Sequence, residues 1–118
     1  MLTATCHCGR LRLSIPEAPQ SLTRCNCSIC YRHGALWSYY ERSELTFVES
    51  PQDRQEYIWG ARNLRFVRCA HCGCLMYWAW VTPQPDSKMG VNMRNFEQVH
   101  LTSLAIIDID GASAEVRS

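Results

Sequence analysis

Eight cysteines in a chain of 118 residues fall into three tight groups, and this grouping restricts the fold more than any other feature of the sequence. The groups are Cys6-His7-Cys8, Cys25-Asn26-Cys27-Ser28-Ile29-Cys30 and Cys69-Ala70-His71-Cys72-Gly73-Cys74. Thiols at this density serve either disulfides or a metal, and spacing separates the two uses. In extended backbone residues i and i+2 point to one face, so the sulfurs of Cys6 and Cys8 can converge on one ion. Cys69 and Cys72 form a C-x-x-C turn able to bracket a metal, and Gly73 behind them supplies the backbone freedom that such knuckles use. All-sulfur tetrahedral coordination points to zinc or an iron–sulfur centre, and zinc is preferred because no ferredoxin-type spacing is present.

The ligands divide unevenly. Cys6 and Cys8 with Cys69 and Cys72 would form a closed four-sulfur structural site, stapling the first strand to a later hairpin. Such a staple contributes of order 10 kcal/mol, taking the lower end of the zinc-finger range. Cys25, Cys27 and Cys30 offer three ligands within six residues, and three protein ligands with one open position is the usual form of a catalytic zinc. Cys74 leaves two outcomes open: it completes a second closed four-cysteine site, or it stands outside both.

The rest of the composition narrows the setting. Twelve Lys+Arg against 11 Asp+Glu give a net charge of +1, which argues against a nucleic-acid partner. Apolar residues at 47% and no long like-charge block argue against disorder. The N-terminus lacks a basic, apolar leader, and the longest apolar runs, such as Leu75 to Val81, fall far short of the ~20 residues of a membrane helix. A reducing, cytoplasmic setting with no membrane partner is the expectation. A mature secreted chain carrying disulfides is the alternative.

Residues 1–118 read as one domain, without repeats or linker-like runs. Arg10 to Ile15 alternates strictly, with Leu11, Leu13 and Ile15 on one face, the period-2 pattern of a half-buried strand. Further strand segments are Ala35 to Tyr40, Glu44 to Glu49, Gln55 to Trp59, Leu64 to Arg68, Leu75 to Val81, Met89 to Met93 and Leu104 to Ile109. Helical periodicity is weak throughout. A small, mainly β domain with cysteines in its connections is expected.

These motifs together resemble the glutathione-dependent formaldehyde-activating (Gfa-type) family, whose domain also occurs in a centromere protein. The resemblance rests on Cys6-His7-Cys8-Gly9, on Cys25 to Cys30 followed by Gly34, and on Phe66-Val67-Arg68-Cys69-Ala70-His71-Cys72-Gly73. Val91-Asn92-Met93-Arg94 and Ile107-Asp108-Ile109-Asp110-Gly111 add to it. It implies an Mss4-like small β-sheet domain with two zinc ions. The structural ion would correspond to Cys6, Cys8, Cys69 and Cys72, the catalytic one to Cys25, Cys27 and Cys30. It also implies a carbon–sulfur lyase that joins glutathione to formaldehyde as S-hydroxymethylglutathione. The chemistry suits three thiolates: they weaken the Lewis acidity of zinc and keep a bound substrate sulfur nucleophilic.

Other residues take secondary roles in this reading. His33, three residues after Cys30, is a surface residue rather than a proton carrier, and His7 and His71 point away from the metal as neighbours of ligands do. Arg24, Arg32 and Arg94 are candidates to receive glutathione carboxylates. Trp37, Trp59, Trp78 and Trp80 could line a groove, but Trp78 and Trp80 share one face of a strand and are expected in the core or at a homodimer contact. The rival class is a non-catalytic zinc-binding β module for protein partners. A zinc nucleobase deaminase is disfavoured, since the cysteine loop carries no Glu and no Pro precedes a C-x-x-C.

Overall fold

The computed structural model describes residues 1–97 and 101–115. Ten strands carry most of the ordered chain: β1 (Leu2–Thr5), β2 (Arg12–Ile15), β3 (Ser21–Cys25), β4 (Trp37–Glu41), β5 (Thr46–Val48), β6 (Arg54–Ile58), β7 (Leu64–Cys69), β8 (Leu75–Trp80), β9 (Lys88–Asn92) and β10 (Ala105–Ile109). One α-helix, α1 (Ser28–His33), lies between β3 and β4. All eight expected strand segments form. The sequence pattern misses β1 and β3, where Ala4 and Leu22 are the sole buried residues and leave little periodicity to read. It also misses α1, whose six residues span less than two helical turns.

Strands β1, β2 and β5 form a small antiparallel sheet. The other seven form a second sheet in the order β10-β3-β4-β9-β8-β7-β6. Within it, β10 runs parallel to β3, pairing Ala105 with Ser21 and Ile109 with Cys25, while the remaining pairs are antiparallel. A chain that returns in parallel from so far away places the residues after Ile109 beside Cys25.

Successive strand residues face opposite sides, and the large sheet uses both. On β7 and β8 the register partners Val67 and Tyr77 face one side, where the main core gathers with Leu13 and Ile15 of β2 and with Leu11 just before it. The neighbouring partners Phe66 and Trp78 face the other, joining Trp37, Leu75, Ala35 and Cys30 in a separate apolar cluster. Cys6, Cys69 and Cys72 pack with the first cluster, and Cys25, Cys27 and Cys30 with the second. No helix among the described residues is long and apolar enough to cross a membrane.

Candidate metal centres

The first centre is built from two turns. β1 gives way to Cys6, and the chain reverses through Gly9 at φ +86°, whose N–H donates to the Cys6 carbonyl at 3.0 Å. β7 ends at Cys69 after a register shift between Val67 and Arg68, and its knuckle closes as the Gly73 N–H donates to the Cys69 carbonyl at 3.0 Å. Gly73 sits at φ +81°, a left-handed conformation open to glycine at little cost. The two turns bring the sulfurs of Cys6, Cys8, Cys69 and Cys72 within 4.8 Å of one another.

Cys8 Sγ lies 3.6 Å from both Cys6 Sγ and Cys69 Sγ. This is far beyond a disulfide bond, and all eight cysteines are free thiols. It matches the spacing of about 3.8 Å that a tetrahedron of sulfurs at the zinc–sulfur distance requires. Backbone N–H groups aim at the sulfurs: Leu11 at Cys6 (3.3 Å), His71 at Cys69 (3.4 Å) and Cys72 at Cys69 (3.5 Å). Burial pushes the Cys6 thiol up to about 11. Burial also acts against ionisation of Cys72, yet N–H groups of Cys74 and Cys8 and the neighbouring thiols bring it down to about 5. A divalent ion resolves this conflict by replacing the remaining protons, so the donor set fits zinc.

Cys74 belongs to this neighbourhood. Its sulfur interacts with Cys72 and receives the backbone N–H of His7, while burial raises its pKa. It is therefore placed away from Cys25, Cys27 and Cys30, and does not complete a second set of four. His71 turns outward to Asp53, with Nε2 2.8 Å from Oδ1, and His7 is exposed.

The second centre sits on the opposite face of the large sheet. Cys25 ends β3, Cys27 is the N-cap residue of α1 and Cys30 lies within the helix. Their three sulfurs also lie within 4.8 Å of one another. Gly34, at φ +63°, ends α1 after one and a half turns and sends the chain into β4. N–H donors surround the sulfurs: the Trp37 indole at Cys30 (3.3 Å), the Cys27 backbone at Cys25 (3.4 Å) and the Gly111 backbone at Cys25. Burial nevertheless dominates and raises both Cys25 and Cys30. These thiols also fit a thiophilic ion that displaces their protons.

Residues after β10 complete the surroundings. Asn26 Nδ2 donates to Asp110 at 3.1 Å, and the Ala112 N–H donates back to Asn26 Oδ1 at 2.9 Å. The Glu115 carboxylate accepts from the Ser28 N–H at 2.9 Å and from the Ser28 hydroxyl at 2.8 Å. Cys27 provides no side-chain cap of its own, so Glu115 serves the first turn of α1 from a distant part of the chain.

Cys25, Cys27 and Cys30 open onto a cleft of about 340 Å³. Its walls are largely aromatic: Trp37, Tyr39, Trp59, Phe66, Trp78 and Trp80. Of the two tryptophans expected in the core or at a dimer contact, Trp78 packs against the second apolar cluster, whereas Trp80 lies outside both clusters and lines the cleft. They do share a face, but the Cys25–Cys30 segment covers that face only in part, and Trp80 stays 39% exposed. The charged residues lining the cleft among those described are Arg62 and Glu115, neither singled out by the sequence. Arg62 sits in the turn after Trp59, and its own φ of +63° gives no sequence signal because non-glycine residues rarely adopt it. Arg24, Arg32 and Arg94 do not line the cleft. They bond instead to Asp108, the Ser28 carbonyl and the Gly34 carbonyl. His33 is exposed at the end of α1.

A mainly β chain with a cluster of four thiols on one sheet face and a cluster of three open to a cleft on the other defines a small β-sheet protein whose thiols could hold metal ions. The profile of the glutathione-dependent formaldehyde-activating enzymes matches residues 1–105, and the chain belongs to that family. It is thus, in general terms, an enzyme of the formaldehyde-activating kind, with glutathione as the thiol its family uses. The fold is similar to the crystal structure of a Rhodobacter sphaeroides protein determined in a structural genomics programme. That likeness has a TM-score of 0.72 at 24% identity, covering 90% of this chain and 100% of the other. No curated protein sequence matches the chain significantly.

Proposed function

We propose that the protein is a zinc-dependent carbon–sulfur lyase, adding a small thiol, glutathione or a close analogue, to formaldehyde or a related aldehyde to give an S-hydroxymethyl adduct. One domain spanning residues 1–118 carries both metal centres in this reading. The observation that carries it is the asymmetry of the thiol clusters: the fifth cysteine of the other centre, Cys74, lies away from the trio, which opens onto a cleft. Cys6, Cys8, Cys69 and Cys72 hold a structural zinc, and Cys25, Cys27 and Cys30 hold the catalytic one. The ion in the second set supplies a coordination position at which a substrate thiol gives up its proton readily.

The chain does the rest. The N–H groups of Gly111, Cys27 and the Trp37 indole donate to the sulfurs of Cys25 and Cys30, and so compensate part of the negative charge that three thiolates bring together. Glu115 and Gly34 fix the two ends of α1, which carries Cys30. The aromatic walls limit water around the reacting sulfur and carbonyl carbon. Free thiols throughout suit a reducing compartment, and we place the protein in the cytoplasm.

The test is turnover of glutathione and formaldehyde by zinc-replete protein, followed by exchange NMR of the adduct, with Cys27→Ser alongside. The expected result is acceleration by the parent and its loss in a folded variant lacking one zinc. A parent without acceleration, whose Cys27→Ser variant unfolds, would establish the non-catalytic zinc module instead.

A further inference from the structure

We infer that, besides formaldehyde, the site takes an aldehyde carrying an apolar, planar substituent about the size of a phenyl ring, which packs into the aromatic cleft beside Cys25, Cys27 and Cys30. This rests on the lyase reading above and specifies the substrate class of that site.

The first observation is size. A cleft of about 340 Å³ lies at the small end of small-molecule pockets, yet formaldehyde, with two heavy atoms, would leave nearly all of it unfilled. The cleft has room for something larger.

The second is chemistry. Glutathione bears two carboxylates and an ammonium group, and desolvating them requires partners. The charged groups lining the cleft among the described residues are Arg62 and Glu115, and the Glu115 carboxylate already accepts two hydrogen bonds from Ser28. Arg62 alone can answer at most one of the two carboxylates, so the charged arms of the tripeptide belong toward the rim, where solvent reaches them. The cleft remains for the other substrate.

The third is construction. Trp80 turns its indole N–H onto the Lys88 carbonyl at 3.1 Å, and Trp37 turns its own onto Cys30 Sγ at 3.3 Å. Both rings thus spend their polar atoms on the protein and offer carbon to the cleft. Trp78 meets Trp80 edge to face at 6.1 Å between centroids and leans on Tyr39 at 6.1 Å. Its indole lies across Gly90, its register partner on β9, where any Cβ would collide with the ring. Rings braced in this way accept a flat apolar group by stacking and edge contacts.

The reaction is unchanged in kind. A carbon–sulfur bond forms between thiol and aldehyde carbon, the carbonyl π pair moves to oxygen, and the proton released by the thiol ends on that oxygen, giving a hemithioacetal.

The experiment uses the zinc-replete full chain with glutathione and formaldehyde, butanal or 3-phenylpropanal, each rate corrected for the uncatalysed reaction. A parallel titration with 3-phenylpropanal follows tryptophan fluorescence. We expect saturable one-site binding and a kcat/KM for 3-phenylpropanal about tenfold above that for butanal. In Trp80→Ala the ratio of kcat/KM for 3-phenylpropanal to that for formaldehyde should fall by a similar factor. Turnover of formaldehyde, with 3-phenylpropanal neither binding saturably nor outpacing butanal, overturns the inference and leaves the lyase reading standing. If no aldehyde is turned over, the lyase reading fails, and the titration still decides: saturable binding upholds an apolar occupant, and its absence overturns one.

Discussion

Gly111 stands against Cys25: a methyl group on its Cα would lie 2.5 Å from the Cys25 sulfur and 3.4 Å from Cys27 Cβ. The backbone at Gly111, φ −76° and ψ −20°, is ordinary for any residue, so the constraint is space alone. Gly111→Ala should therefore push Cys25 out of place without straining the chain. Overpacking of this kind costs about 1–3 kcal/mol. On the proposed two-zinc reading, the expected outcome is a folded protein holding one zinc per chain against two in the parent, read by elemental analysis beside a thermal melt. Retention of both ions would show that the sulfur has room to move.

That contact also marks how far the residues alone could be read. Leu11, Leu13 and Ile15 announce β2 because alternation is local, and all three are buried as their spacing requires. Cys69 and Cys72 likewise announce their knuckle. Trp78 and Trp80 could be assigned to one face, but what covers that face depends on the Cys25–Cys30 segment arriving from elsewhere. Gly111 and Glu115 reach the second centre only because β10 pairs in parallel with β3, and nothing local encodes that pairing. Arg62, rather than the expected arginines, lines the cleft, because Arg24 and Arg94 find partners 84 and 60 residues away.

Glu115 offers a second test. It caps α1 through Ser28 across 87 residues, and a helix of six residues has little stability of its own. Removing both acceptors in Glu115→Ala should cost about 1–2 kcal/mol and loosen Cys27 and Cys30. Glu115→Gln keeps one carbonyl acceptor for the Ser28 N–H and should fall between. Competition with a chromophoric chelator should show zinc in the second centre weakened in the order parent, Gln, Ala, with the first centre unaffected. Equal weakening of both centres would contradict a local role.

Cys74 and Cys6 should behave differently although both adjoin the first centre. Cys74 is half-buried, packed against the main core and outside the set of four convergent sulfurs. Cys74→Ser should keep both zinc equivalents and lose no more than about 1 kcal/mol, typical of a substitution that breaks no ligand set. Cys6 is 1% exposed and its sulfur is one of the four. Cys6→Ser should remove most of a staple worth of order 10 kcal/mol, leaving a chain that does not fold cooperatively. Denaturant titrations of the two variants separate these outcomes, and a zinc-deficient Cys74→Ser would make Cys74 a ligand.

Acid should loosen the clamp that holds β10 on β3. Asp108 is kept below its ordinary value by hydrogen bonds from Arg24, at 2.6 and 3.1 Å, and Asp110 is lowered by Ser113 and then by Asn26. A carboxylate whose folded pKa is depressed stabilises the fold above its unfolded pKa, about 3.9, and that contribution disappears as pH falls through the folded value. Both side chains are exposed, so the effect is screened by salt and confined to pH below about 4. Carboxyl NMR should give midpoints for Asp108 and Asp110 below the ordinary aspartate value. In Arg24→Gln the Asp108 midpoint should return toward it while Asp110 stays low, because its own donors, Ser113 and Asn26, are untouched. Ordinary midpoints for both in the parent would mean that neither aspartate clamps β10 to β3, leaving its parallel pairing, and with it the placement of Gly111, to the backbone ladder and the contacts of Asn26 and Glu115.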